Sequence, residues 1–452
     1  MTLSNEVISR NAMTPVPRYT SYPTAPHFHG GIGRATYEAW LCALPQDASL
    51  SLYLHVPFCD TLCWFCGCHT KITRQYAPIK LYLDALIREI DTVAACVPRG
   101  ARVTHIHWGG GSPTILKPED IIAVSAALRS AFKVLPDAEF AVEVDPRGVD
   151  EDRIAALAES GLTRVSVGVQ DFDPAVQAAI NRVPSVEETE CVIDGFRARG
   201  VRSLNIDAIY GLPGQREPQV LYTLGEVLRL APDRVALFGY AHVPWMKSHQ
   251  SMIKEADLPG VIERYGQAES AAGFLVQAGF ERIGVDHFAR PTDALAAAAR
   301  EHRVKRNFQG YTVDPADALI GLGASAIGRL PQGYVQNASA ILEYQRRTIG
   351  QGLATERGVE FSEDDRVRGE IIERLMCDLV FASAQLHGVR KEIAREILDC
   401  ARETIDFDKD GFVAPTPDGF RVTEIGRPFV RTIAARFDAY LASARGRHSI
   451  AV

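Results

Sequence analysis

The sequence predicts an α/β protein built on a partial, open barrel of parallel strands, and three observations lead there. Short apolar, β-branched runs alternate with amphipathic helical stretches from residue 50 to about 285. Four cysteines crowd behind the first of those runs, at 59, 63, 66 and 68. From about residue 360 the chain turns charged and helical, then closes with Asp410-Gly-Phe-Val and Gly419-Phe-Arg-Val-Thr.

The strand runs fall at 52–56, 103–108, 140–144, 164–169, 204–209, 235–240 and 282–285. Helical stretches at 79–97, 118–132, 150–160, 186–199, 219–230 and 261–278 separate them. Parallel strands need crossover helices, so this alternation reads as βα units. Six or seven units are too few for a closed eight-stranded barrel, and right-handed crossovers curl them into an open one. Ligands of such folds collect at the C-terminal strand ends. The cysteine loop follows the first strand and so lies at that mouth.

Three segments are expected. Residues 1–45 form an irregular N-terminal arm, because Pro15, Pro17, Pro23 and Pro26 oppose helix. The aromatics and hydroxyls of Arg18-Tyr-Thr-Ser-Tyr-Pro-Thr24 suit an arm that wraps the body or covers a site. Residues 46–350 form the barrel, with glycine-rich, mixed loops over 286–350 as an accessory segment. Residues 351–452 form a small, mainly helical C-terminal domain with a β-hairpin, resembling a winged helix.

Composition narrows the function. Apolar residues make up 46% of 452, enough for a large core without disulfides. Nine cysteines, one dense group and five scattered, are not a disulfide framework and favour a reducing compartment. The N-terminus lacks a signal pattern and no apolar run reaches membrane-spanning length, so a cytoplasmic protein without a membrane partner is expected. A net charge of −7 with no basic block argues against a nucleic-acid partner.

The cysteines follow C-x3-C-x2-C, with Cys68 two residues beyond. Clustered thiolates are soft ligands for zinc or an iron–sulfur cluster. Structural zinc usually draws on two separated ligand pairs, whereas three thiolates from one tight loop suit a four-iron cluster with one iron open. On spacing alone zinc stays as the alternative.

Polar groups recur at the other strand ends. His107-Trp-Gly-Gly-Gly-Ser-Pro-Thr114 exposes backbone amides after the second strand. Alternation sends Glu143 and Asp145 to one side of the third. Gln170 and Asp171, with Asn181-Arg182 following, end the fourth; Asn205 and Asp207 the fifth; Ala241-His242 the sixth. Any one could be a cap or a structural hydrogen bond. Five in succession at one rim describe a polar pocket.

The C-x3-C-x2-C spacing resembles the radical S-adenosylmethionine superfamily signature. The whole chain resembles the oxygen-independent coproporphyrinogen III oxidase family within it. The resemblance rests on Pro17-Arg-Tyr-Thr-Ser-Tyr-Pro-Thr24, His55-Val-Pro-Phe-Cys59 with the cysteine loop, Trp108-Gly-Gly-Gly-Ser-Pro-Thr114 and Glu143-Val-Asp-Pro-Arg147. It continues through Gly168-Val-Gln-Asp-Phe172, Asn205-Ile-Asp207, Ile209-Tyr-Gly-Leu-Pro213, Asp286-His-Phe-Ala-Arg290 and Asn307-Phe-Gln-Gly-Tyr311. Ser112 and Val313 stand where the family often has threonine.

The resemblance implies that Cys59, Cys63 and Cys66 ligate a [4Fe-4S] cluster and that Cys68 does not. It implies two S-adenosylmethionine molecules per chain. Tyr53, Gly110, Glu143 and Ile327 would contact the cluster-bound one; Phe65, Gly111, Ser112, Gln170, Arg182, Asp207 and Ala241 the second. Tyr53 and Cys68 are the expected catalytic positions. The implied reaction turns two propionates of coproporphyrinogen III into vinyls through a 5′-deoxyadenosyl radical, giving protoporphyrinogen IX. Arg18, Tyr19, Arg290 and Arg306 are candidates for the substrate's carboxylates. A reductant such as flavodoxin or ferredoxin, and a monomer, are expected. Related haem chaperones are the alternative, but they lack the fourth cysteine and the arginine–tyrosine arm; a porphyrin-modifying radical methyltransferase is the other.

Overall fold

The computed structural model describes residues 3–441, so residues 1–2 of the arm and 442–452 of the C-terminal domain lie outside the described residues. The arm is not irregular throughout. Helices α1 (Asn5–Ala12) and α2 (Arg34–Cys42) flank the proline segment, and the Ser4 hydroxyl caps α1 by accepting from the Val7 amide. Proline governs only its own neighbourhood, and the expectation over-extended it.

Six βα units follow in chain order. Strand β1 (Ser49–Val56) leads into the cysteine loop, whose ends pair as the short strands β2 (Phe58–Cys59) and β3 (Lys71–Ile72), and then into α3 (Ala77–Cys96). The next units are β4 (Arg102–Gly110) with α4 (Pro118–Ala131) and β5 (Val134–Val144) with α5 (Glu151–Glu159). Strand β6 (Arg164–Gln170) carries two helices, α6 (Pro174–Ile180) and α7 (Val186–Ala198). The sequence reading missed α6, although Asp173 caps it and Pro174 opens it, a legible start signal. Strand β7 (Ser203–Tyr210) with α8 (Glu217–Arg229) and β8 (Arg234–Gly239) with α9 (Val261–Gln277) complete the series.

The seventh strand is a correction. Residues 281–289 form β9 (Glu281–Ile283) and β10 (His287–Ala289), both antiparallel additions beyond β8. No helix separates β9 from β10, so the chain can only double back. The seventh parallel strand comes instead from the stretch expected to be loops. After α10 (Ala294–Arg300) and the hairpin of β11 (Lys305–Asn307) and β12 (Gly310–Thr312), strand β13 (Ala318–Leu322) pairs parallel with β1. Strands β14 (Ile327–Leu330), β15 (Gly333–Asn337) and, after α11 (Ile341–Gln351), β16 (Thr355–Glu360) extend that edge antiparallel. The twelve-stranded sheet runs β16-β15-β14-β13-β1-β4-β5-β6-β7-β8-β10-β9.

Helix α12 (Glu363–Asp378), strand β17 (Val380–Ala382), helix α13 (Lys391–Asp406), the hairpin β18 (Val413–Thr416) with β19 (Gly419–Val422), and the short α14 (Val430–Ala434) follow. Helix, strand, helix, hairpin is a winged-helix order. Its core is shared with the arm: Ile8, Ala12, Val16, Tyr19 and Tyr22 pack with Phe381, Phe420 and Phe429. Helix α2 contributes Tyr37, Trp40 and Leu41 to the barrel core instead. The arm is thus divided between two cores.

Alternation positions the site. In β6, Val165, Val167 and Val169 are buried while Ser166, Gly168 and Gln170 face the concave side; in β7, Leu204, Ile206 and Ala208 are buried while Asn205 and Asp207 face it. A closed barrel fills that interior with apolar side chains. Here it carries polar groups and stays hollow.

Candidate active site

All four cysteines of the loop and the strand ends enclose a cavity of about 170 Å³. Cys59 ends β2, and its carbonyl accepts from the Thr73 amide at 2.9 Å, closing the base of the loop. The far side is tied to α6: the Trp64 amide donates to the Ile180 carbonyl at 2.9 Å, and Asn181 Nδ2 to the Leu62 carbonyl at 2.7 Å. Cys63 is buried and receives Arg147 Nη2 at 3.4 Å and Arg182 Nη1 at 3.6 Å. The Cys68 amide donates to Cys66 Sγ at 3.4 Å. A hydrogen bond from the Cys68 thiol holds the Cys66 thiol down to about 6 against burial, while burial pushes Cys59 up to about 12.

Among the described residues, no three histidine, cysteine or acidic groups converge on a point that would hold a single ion. The cysteine sulfurs instead ring a cavity, which fits a polynuclear cluster better than zinc. The glycines make the same point. An added Cβ would lie 2.6 Å from Glu143 Oε1 at Gly109, 2.6 Å from the His55 ring at Gly110 and 2.5 Å from the Phe58 carbonyl oxygen at Gly111. Gly110 also sits at φ +110°. The backbone approaches the cavity this closely only because these side chains are missing.

Glu143 and Asp145 do share one side, and both line the cavity. Glu143 accepts from the Gly110 amide and pairs with His107 Nε2, each at 3.1 Å; these contacts outweigh burial and keep its carboxyl below the ordinary range. Asp145 is held by Arg182 at 2.8 Å and Arg147 at 2.6 Å. Asp207 has only neutral donors, Asn205 Nδ2 at 2.7 Å and the Ser166 hydroxyl at 3.2 Å. Burial, with Glu143 nearby, pushes its carboxyl up to about 6. Gln170 stands at φ +73° where β6 slips register against β7. Such a bulge re-aims a side chain, and local strain of this kind collects at functional sites.

The other expected contacts divide. Phe65, Gly110, Gly111, Gln170, Arg182 and Asp207 line the cysteine cavity. Ala241 lines a second, larger cavity, and Ile327 a small one beside β14. Tyr53 lies beneath, stacked on His107 at 5.8 Å with its hydroxyl 3.0 Å from His55 Nδ1. Ser112 bonds Thr114 at 2.9 Å. Asp171 turns away from the cavity and pins Gln215 and Thr223 within the core.

The second cavity, about 690 Å³, opens at the ends of β7 and β8. Five arginines line it: Arg18, Arg264, Arg282, Arg306 and Arg431. Arg18 reaches in from the arm, donating to the Gly239 carbonyl at 2.9 Å. Burial first, then repulsion from Arg18 and Arg306, lower Arg431 to about 9. Among the described residues, Arg264 Nε, Arg282 Nε, and Arg306 Nε and Nη1 are buried without a hydrogen-bond partner. Glu255, Glu269 and Asp286 also line the cavity, with Glu269 on Arg282 at 3.2 Å and Asp286 3.8 Å from Arg306, so guanidinium groups outnumber carboxylates and the cavity suits an anion.

Two of the four expected substrate residues are elsewhere. Arg290 lies over the Phe280 ring at 4.2 Å and donates to the Ala278 carbonyl at 3.1 Å, a packing role. Tyr19 donates to Asp438 at 3.0 Å and anchors the arm in the C-terminal core. Arg264, Arg282, Arg431 and Arg147 were missed as site residues. Arg264 had a signal: it shares the buried stripe of α9 with Ala271 and Leu275. Arg431 had none, because it enters from a short helix far along the chain.

The radical SAM superfamily model matches residues 53–226. The chain is 48% identical to an oxygen-independent coproporphyrinogen III oxidase of Bradyrhizobium diazoefficiens, over 97% of each. It is 40% identical to the Escherichia coli protein of that name, over 94% of this chain and 93% of the relative. The solved structure of the Escherichia coli coproporphyrinogen III oxidase, described as a radical SAM enzyme, superimposes with a TM-score of 0.88 at 38% identity, covering 95% of this chain and all of that one.

Proposed function

This chain belongs to the oxygen-independent coproporphyrinogen III oxidases of the radical S-adenosylmethionine superfamily, and from that membership we propose its reaction and the residues that carry it. It is an oxidoreductase of haem biosynthesis that decarboxylates two propionates of coproporphyrinogen III to vinyls, giving protoporphyrinogen IX. The observation that carries this reading beyond family membership is the arginine cavity beside the cysteine cavity. A tetracarboxylate macrocycle would meet the excess of guanidinium groups lining that cavity, and a small neutral substrate would not.

A [4Fe-4S] cluster and S-adenosylmethionine are the cofactors, and when bound they supply a 5′-deoxyadenosyl radical that takes a hydrogen atom from a propionate. Cys59, Cys63 and Cys66 would hold the cluster. Tyr53, Gly110, Glu143 and Ile327 would hold one S-adenosylmethionine, with Glu143 offering its remaining lone pairs to hydrogen-bond donors of that ligand. Phe65, Gly111, Ser112, Gln170, Arg182, Asp207 and Ala241 would hold a second. Asp207, which has no cationic partner, suits hydroxyl or cationic groups of such a ligand. Arg18, Arg264, Arg282 and Arg306 would orient the carboxylates, and the arm carrying Arg18 would exclude water. Tyr53 and Cys68 remain the proposed catalytic positions. One electron per vinyl leaves to an outside acceptor, and a flavodoxin or ferredoxin would supply the reducing electrons. A monomeric, cytoplasmic enzyme fits this reading; no helix among the described residues is long and apolar enough to cross a membrane.

The test is an anaerobic assay of the reconstituted protein with a reductant and coproporphyrinogen III, read by porphyrin analysis. Vinyl product is expected. Stoichiometric haem binding without product would move the reading to a chaperone. Equilibrium binding that saturates at one S-adenosylmethionine per chain would remove the second site.

A further inference from the structure

After β8 the chain first borders the arginine cavity, which Tyr240, His242 and Pro244 line. It then crosses the cysteine loop and grips three of its carbonyls. Lys247 Nζ donates to Cys68 at 2.8 Å, His249 Nε2 to Cys66 at 2.8 Å and Gln250 Nε2 to Phe65 at 2.7 Å. Of the three side chains only Gln250 is buried, at 1% exposure. Its Oε1 accepts from the Val243 amide at 2.6 Å, so both ends of the amide are committed and its orientation is fixed. Val243 lies between two residues that line the arginine cavity, and Phe65 lines the cysteine cavity.

A second, apolar contact runs parallel to this one. Leu212, Tyr240 and Ile253 form a buried cluster with Val176 and Ile180, and Phe65 and Leu258 pack against it. Tyr240 and Leu258 line the arginine cavity. Packed interiors transmit small displacements because they have no slack.

We propose that Gln250 is a positioning residue that ties the cysteine loop to the wall of the arginine cavity, so that the placement of Phe65 depends on what fills that cavity. The proposal rests on the reading that coproporphyrinogen III occupies the cavity. A substrate pressing on residues 240–244 is then felt at Phe65 through the Gln250 amide, beside the apolar contact from Tyr240. Radical generation is thereby matched to substrate occupancy, and cofactor cleavage without product is limited.

The test uses anaerobic holoenzyme as wild type, Gln250→Glu and Gln250→Met. Glutamate keeps the acceptor for Val243 but has no donor for Phe65; methionine keeps the volume and loses both. One readout is hydrogen exchange of the amides at 64–68 with and without coproporphyrinogen III. The other is 5′-deoxyadenosine formed per vinyl group. Substrate should slow exchange at 64–68 in the wild type and do so far less in both variants. The deoxyadenosine-to-vinyl ratio should rise about tenfold in the variants, as loss of a buried hydrogen bond allows. Iron content should be unchanged. Wild-type protein that makes vinyl product while substrate leaves exchange at 64–68 unaltered would overturn the role of Gln250, as would variants with wild-type ratios. Wild-type protein that makes no vinyl product would overturn the functional reading instead.

Discussion

Asp145 and Arg182 form an ion pair of 2.8 Å at the edge of the cysteine cavity, and the same Arg182 nitrogen lies 3.6 Å from the Cys63 thiol. The remaining Arg182 donors go to the Gly168 carbonyl, so one guanidinium joins the cysteine loop to the ends of β5 and β6. Arg182→Met should therefore destabilise the protein by about 3 kcal/mol in denaturant unfolding, the lower end for a broken buried pair because Arg147 remains on Asp145. Burial alone would raise the Asp145 carboxyl, but Arg182 and Arg147 hold it below its ordinary value. A lowered folded-state pKa gives stability that is present above the unfolded value and lost as pH falls through the folded one. The cost of Arg182→Met should accordingly be full at pH 7 and shrink below about pH 4.

Cys63→Ala and Cys68→Ser should differ. The first removes a thiolate that the arginines face, and visible iron–sulfur absorption should disappear with S-adenosylmethionine cleavage. The second leaves the Cys68 backbone amide in place as a donor to Cys66 Sγ and puts a hydroxyl donor where the thiol was. Iron and sulfide content should stay near wild type while turnover falls. Loss of the cluster from Cys68→Ser would make Cys68 a ligand.

Gly111→Ala tests the close approach of the glycine run. The new methyl would meet the Phe58 carbonyl oxygen at 2.5 Å, and that carbonyl already accepts from the Ser112 amide at 2.8 Å. Backbone on both sides leaves little room to yield. Overpacking of this kind costs about 1–3 kcal/mol. A lowered melting temperature and reduced iron incorporation are expected, whereas a variant matching wild type in both would show that the loop moves freely.

Arg18 and Arg290 separate binding from packing. Arg18→Ala removes a charged donor from the large cavity and should raise KM for coproporphyrinogen III about tenfold, with little change in unfolding. Arg290→Ala breaks the contact with Phe280 and the Ala278 carbonyl and should lower stability with KM unchanged. Steady-state kinetics beside thermal unfolding reads both. Deleting the whole arm would be a poorer test, since Ile8, Ala12, Val16, Tyr19 and Tyr22 belong to the C-terminal core.

Asp207 gives a pH signature of the opposite sign. Its carboxyl is raised from 3.8 to about 6, so at about pH 3 and below both folded and unfolded forms hold the proton and no penalty exists. Between about pH 4 and 6 the unfolded state gives up this proton more readily than the folded one, so stability falls across that window and levels off above it. Asp207→Asn should therefore stabilise the protein without S-adenosylmethionine by about 3 kcal/mol at pH 8 and by almost nothing at about pH 3. It should also lower product formation. A stability gain independent of pH would contradict the assignment.

What the sequence determined by itself was local or periodic. The C-x3-C-x2-C spacing pointed to a cluster loop because its three cysteines sit within one short loop of chain. Period-two alternation put Glu143 beside Asp145 and Asp207 on the concave side of β7, because side-chain direction follows from the strand backbone alone. Tertiary structure decided what depends on distant partners. Nothing near Ala318–Leu322 says that this strand inserts beside β1, more than 260 residues earlier, in place of 282–285. The arginine cavity draws Arg18, Arg264 and Arg431 from the arm, the last barrel helix and the C-terminal domain. A buried charge is specified by what surrounds it, and only the folded chain brings those surroundings together.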